Sequence, residues 1–207
     1  MFTTTFRLAR DGGACKESYR KFAKHVGGVR MYGENKPIPL AEVAEVLGVD
    51  DALWSLGCTQ QPVEADKFAR LLAADFADHV LFLFENMYPN DDRPRKAVEA
   101  ARLFAEGNLG DAARDAAGAT AWHAARAAAG SAAWDAAWDA AVAAARAAAG
   151  GAAWSAARAV AWSAASAAAR AAARAAAWDV AWSAAWDAAW DAEMKWQKER
   201  LMEMLSK

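Results

Sequence analysis

The arginines Arg146, Arg158, Arg170 and Arg174 fall between Asp139 and Asp179, along with Trp154 and Trp162, in an interval with no acidic residue. Arginine offers a planar fork of donors that grips a phosphate with two bonds at once, and an indole offers a flat face on which a base stacks. With Ser155, Ser163 and Ser166 nearby, these six side chains suit a nucleotide or cyclic nucleotide as ligand. The same arginines can instead pair with Asp135, Asp139, Asp179, Asp187 and Asp191 on neighbouring helices. Arginines that converge serve a phosphate; arginines that each meet an aspartate serve the fold. Both readings stand at this stage.

Other reactive groups are sparse. Asp75 and His79 are spaced i,i+4 in an apolar stretch, with Asp78 and Glu85 near, and that spacing puts both on one side of a helix, where a carboxylate can orient a general base. No second histidine or cysteine is spaced to complete a metal site, and Cys15 and Cys58 form no C-x-x-C pair. His25 and His123 stand alone. The chain has no glycine-rich phosphate loop, no G-x-S-x-G and no H-E-x-x-H. The expectation is a protein without catalytic residues, metal or cofactor.

The elements that must hold these residues begin with "AAWDAAWDAA", residues 132 to 141. From Gly110 to Met194 every tryptophan and arginine keeps one four-residue register, through Trp122, Trp134, Trp138, Val142, Arg146, Trp154, Arg158, Trp162, Ser166, Arg170 and Trp178 to Trp190 and Met194. Nearly everything between is alanine, the strongest helix former, so the segment is helical. Each step of four overshoots a turn by about 40°, and the stripe therefore winds around its helix. A repeat longer than 3.6 residues implies a right-handed wrap between partners. Breaks are expected at Gly118, at Gly130-Ser131 and at Gly150-Gly151, with a longer last helix and antiparallel packing. Tryptophan knobs, each burying roughly 150–250 Å² in alanine-walled holes, are expected to supply the cohesion.

Ahead of this repeat the composition is mixed. Residues 16 to 26 read as a helix ended by Gly27-Gly28, "GENKPIP" as a loop whose prolines exclude a regular element, and "LAEVAEVLG" and "DDALWSLG" as short amphipathic helices, the second capped by Asp50 or Asp51. The most apolar helix follows, with Phe68, Leu72, Phe76, Val80 and Leu83 down one side, broadened by Leu71, Phe82 and Phe84. "RKAVEAARLFAEG" closes the first part. The fold class is thus all-α: a mixed helical region over 1–108, then an alanine–tryptophan tetrad-repeat bundle over 109–207.

A formal net charge of −2 over 207 residues argues against general nucleic-acid binding, although the first thirty residues lean basic. The amino terminus lacks the apolar run of a signal peptide, and Arg146, Arg158 and Arg170 interrupt the alanine-rich half too often for a membrane span. A bacterial host cytoplasm, with reduced cysteines, is the expected setting.

"KPIPLAEVAEVLGVDDALWSLGC", "FARLLAADFADHVLFLFENMYPNDDRPRKAVEAARLFAEGN" and the Ala-Trp-Asp tetrads resemble a widespread group of bacterial and phage proteins described as immunity proteins. The resemblance spans roughly residues 15 to 190, and "YPNDDRPRKAVEAARLFAEGN" is its most specific part. It implies an inhibitor that binds a toxin or effector protein, and it carries no catalytic or binding motif with it. The expected function is binding without turnover in phage–host conflict, by sequestering a nucleotide second messenger or neutralising a defence effector. The alternatives are a toxin-binding immunity protein and a self-assembling helical homo-oligomer. A nucleotide sponge needs converging arginines, whereas a protein inhibitor needs an exposed aromatic patch.

Overall fold

The computed structural model describes residues 1–129, 136–148, 151–176 and 179–207, and almost all of these outside short turns are α-helical. The elements run β1 (Thr3–Thr4), α1 (Phe6–Asp11), α2 (Lys16–His25), α3 (Val29–Tyr32), β2 (Ile38–Pro39), α4 (Leu40–Val46), α5 (Val49–Ser55), α6 (Pro62–Met87), α7 (Arg93–Ala105), α8 (Asp111–Ala129), α9 (Ala136–Ala147), α10 (Ala153–Ala175) and α11 (Asp179–Leu205). The all-α class holds. Among the described residues the one departure is the antiparallel pair β1–β2, in which Thr3 faces Pro39 and Thr4 faces Ile38. Proline is tolerated there because a two-stranded pair is all edge, so "GENKPIP" does end in a regular element.

Local chemistry explains most boundaries. The Thr5 hydroxyl accepts from the Leu8 N–H and caps α1. Gly27 and Gly28 both take positive φ just past α2, a region closed to most side chains. α5 begins one residue after Gly48 (φ 100°), so neither Asp50 nor Asp51 is its cap. Both lie in its first turn, where carboxylates meet the positive end of the helix dipole.

α6 is central, packing on α7, α9 and α10. Phe68, Leu72, Phe76, Val80 and Phe84 are buried along it and Leu83 partly so, whereas Phe82 is 53% exposed. Phe82 therefore does not broaden the buried face as expected, because its turn of the helix carries Leu81 and Phe84 inward instead. One core runs from Phe6 and Leu40 through Leu72 and Phe76 to Val142 and Val160. It crosses the change of composition at Leu109 without interruption.

The repeat region departs from expectation in three ways. α8 runs straight through Gly118, which is no break. A Cβ added there would stand 3.3 Å from the Ala148 carbonyl oxygen, so this glycine lets α8 and the end of α9 approach closely. α10 stops at Ala175, and the extended Ala176 follows (ψ 129°), where no glycine or proline announced an end. Most important, among the described residues the repeat tryptophans are not the core. Alanines line the contacts, with Ala121, Ala125, Ala140, Ala144, Ala157, Ala164 and Ala167 buried, while Trp122, Trp162 and Trp182 are exposed and Trp154, Trp186 and Trp190 half-buried. An indole between two helices would push their axes toward the wide end of the about 8–10 Å range, whereas alanine permits the narrow end. Many small contacts at short range replace a few large knobs. The expected break at Gly130-Ser131 lies outside the described residues, as does Gly150, while Gly151 lies in the bend before α10.

The winding of the stripe is visible in burial. On α8 Arg114 and Gly118 are buried, and Trp122 and Arg126, one and two steps further round, are exposed.

Candidate functional site

The six residues singled out by sequence do not share one place. Arg146, on α9, donates to the Ser163 hydroxyl and to the Ala159 carbonyl of α10. Arg170, on α10, reaches back to α9, with Nε 2.6 Å from Oδ2 of Asp139, which is only 2% exposed. Burial pushes the Asp139 carboxyl above its ordinary value, against the pull of Arg170 and Arg146. These two arginines stitch α9 to α10. Arg158 makes a two-pronged bond to Asp50 at the start of α5, at 2.6 and 2.7 Å, and this pairing holds its guanidinium further above its ordinary value. Arg158 and Arg170 are twelve residues apart on one helix, about 18 Å along its axis, too far for a single phosphate group to bridge. Arg174 is exposed near the end of α10.

Trp154 belongs to a different cleft. It packs over Gly57 so closely that an added Cβ would stand 2.8 Å from its Nε1, and it walls a space of about 210 Å³ with Pro62, Asp66 and Ala153.

Trp162 alone sits with Arg158 on a shared surface. A groove of about 200 Å³ lies between α5, α10 and α11. Its floor is Val49, Leu53 and Ala161, all buried, and Trp162 (56% exposed), Trp190 and the Asp50–Arg158 pair stand around it. Met194 completes the lining. Sequence reading missed Val49, Leu53, Trp190 and Met194 as members. Trp190 and Met194 were findable, because they share the tetrad register with Trp162, but the two α5 residues looked like any short core helix.

Beyond the groove α11 is open. From residue 181 to residue 192 it has no buried residue. Trp182 and Trp186 stack there with ring centroids 5.4 Å apart, and the Arg170 guanidinium lies 5.8 Å from the Trp186 ring.

No family model, curated protein or solved structure matches this chain. The reading of the site therefore rests on its own geometry.

The Asp75–His79 spacing builds a clamp. Asp75 accepts from Arg200 and meets Arg102 Nη1 at 2.7 Å, while Asp78 takes Arg102 and Arg95. The His79 ring stacks on Trp196 at 3.5 Å, and its Nε2 is 3.3 Å from the buried Glu193. The open cleft they border, about 320 Å³, is thus lined by groups already engaged with one another. They tie α6 and α7 to the carboxyl-terminal half of α11, where Gln197, fully buried, donates to the Ala161 carbonyl. Among the described residues no three His, Cys, Asp or Glu side chains are grouped to hold a metal ion. Burial pushes the Cys58 thiol up to about 11, which leaves it a poor nucleophile. Among the described residues, no helix is long and apolar enough to cross a membrane.

Proposed function

We propose that this protein acts by binding, without turnover, and that a protein partner docks on the tryptophan groove of α5, α10 and α11. The observation that carries the reading is Trp162, a large indole left 56% exposed beside an apolar groove whose bordering charge, Arg158, is already neutralised by Asp50. Small-molecule sites run about 300–1,000 Å³, and the groove is smaller at about 200 Å³. A hollow of that size suits a side chain inserted from another protein surface, with tryptophan as the anchor such interfaces favour. The resemblance to bacterial and phage immunity proteins points the same way. It makes the partner a toxin or defence effector and sets the encounter in the cytoplasm of a bacterial host.

A second reading, sequestration of a nucleotide signal, draws support from the stacked Trp182 and Trp186 beside Arg170, an aromatic face next to a cation. That face is open to solvent, and Arg170 is already committed to Asp139.

One experiment separates the two. Tagged wild-type protein, Trp162→Ala and Trp122→Ala are used for capture from phage-infected or toxin-producing bacteria, while the wild type is titrated with cyclic oligonucleotides. A partner kept by wild type and Trp122→Ala, and bound about 30-fold or more weakly by Trp162→Ala, supports the groove, since an anchor residue contributes about 2 kcal/mol or more. A saturable nucleotide response with a raised melting temperature, and no partner dependent on Trp162, overturns it.

A further inference from the structure

Two surfaces of the chain carry unmatched charge of opposite sign. On α2, Lys16, Arg20 and Lys24 fall on one line at four-residue spacing, and all three are exposed. On the open half of α11, Asp187 and Asp191 are exposed beside Trp186 and Trp190. Among the described residues, none of these five charged groups has an ion-pair partner, although most other arginines of the chain do.

We infer that α2 of one copy docks along residues 181–192 of α11 in a second copy. The dimensions agree: α2, ten residues long, extends about 15 Å, and the open stretch of twelve residues about 18 Å. The spacing agrees as well. Cations at 16, 20 and 24 recur every four residues, about 6 Å along the axis, and so do Trp182, Trp186 and Trp190. Both stripes follow i,i+4 ridges, which lie alongside one another when the two helices cross at about −50°. The three cations then lie along the indole stripe and two of them meet Asp187 and Asp191, which combines cation–π attraction with charge pairing on surfaces that lose water together. The contact covers Trp182, which is exposed, and the half-buried Trp186 and Trp190, as expected where large exposed apolar patches are rare without a partner. The two surfaces share Trp190, but charge reversal on α2 and α11 leaves Trp162 untouched, so either reading can fail alone.

The test is charge reversal with rescue, read by light scattering and sedimentation at low salt. The first variant carries Lys16→Glu, Arg20→Glu and Lys24→Glu; the second carries Asp187→Lys and Asp191→Lys. The wild type is expected to associate with rising concentration and to dissociate as salt is raised. Each variant alone, now facing like charge with like, is expected to associate more than about 100-fold more weakly. An equimolar mixture of the two is expected to associate again, because basic α2 then meets acidic α11 and acidic α2 meets basic α11. That recovery also shows that neither variant has lost its fold. A wild type monomeric at every concentration overturns the inference, as do variants that assemble as the wild type does or a mixture that stays monomeric.

Discussion

At Asp139 burial and charge oppose one another. The carboxylate is nearly sealed from water and is held by Arg170 across the α9–α10 joint, so the guanidinium offsets a desolvation cost it does not fully cancel. Replacing Arg170 by methionine keeps the stem and removes the charge. At neutral pH this is expected to cost about 3 kcal/mol, the lower end for breaking a buried pair. The pH dependence has a definite sign. A carboxyl whose folded value is raised favours the fold fully below its unfolded value of about 3.9, and that contribution is lost as pH rises through the raised folded value. The gap in melting temperature between wild type and Arg170→Met should therefore be small near pH 4 and widen toward pH 7. A gap that narrows over that range would mean that Asp139 is not the group left uncompensated. Sequence reading had placed Asp139 among the partners of these arginines, and that pairing was legible because Asp139 is the last acid before a long run without one. The Asp50–Arg158 bond was not, since it joins residues 108 positions apart, and no local pattern marks a contact between a mixed-composition helix and the repeat.

Among the elements, the alanine helices were legible from composition and period alone, but their orientation was not. An ordinary amphipathic helix announces its outer side with charge; here alanine covers most of the circumference, and a large apolar residue every fourth position is compatible with either side facing inward. Gly118 shows which way the balance fell. It sits at the α8–α9 contact, where even an added Cβ would stand a tight 3.3 Å from the Ala148 carbonyl oxygen. Gly118→Leu is expected to lower the melting temperature by several degrees, more than its gain in helix propensity of about 1 kcal/mol can restore. Gly151→Leu, where an added Cβ meets nothing within 4 Å, should leave it nearly unchanged. Equal effects at the two sites would contradict an alanine-lined contact at α8–α9. The end of α10 at Ala175 was illegible for a different reason. Helices stop without glycine or proline when tertiary packing pays for the turn, and propensity alone registers none of that.

For the whole molecule, the consequence is a division of labour between side chains of very different size. Alanines, with the aromatic and aliphatic residues of α6, hold one continuous core, while Trp122, Trp162 and Trp182 stand exposed outside it on α8, α10 and α11. The proposed binding, whether of an effector in the α5–α10–α11 groove or of a second copy along α11, rests on this outward aromatic stripe. The most direct test is acrylamide quenching of tryptophan emission in the native protein at low concentration and high salt, with the same protein unfolded in denaturant as reference. With Trp122, Trp162 and Trp182 exposed and Trp54, Trp154, Trp186, Trp190 and Trp196 half-buried, the account predicts a red-shifted fraction of the native emission that acrylamide quenches readily. A blue-shifted emission that acrylamide barely reaches until the protein unfolds would put the indoles back in the core and remove the surface on which the binding account stands.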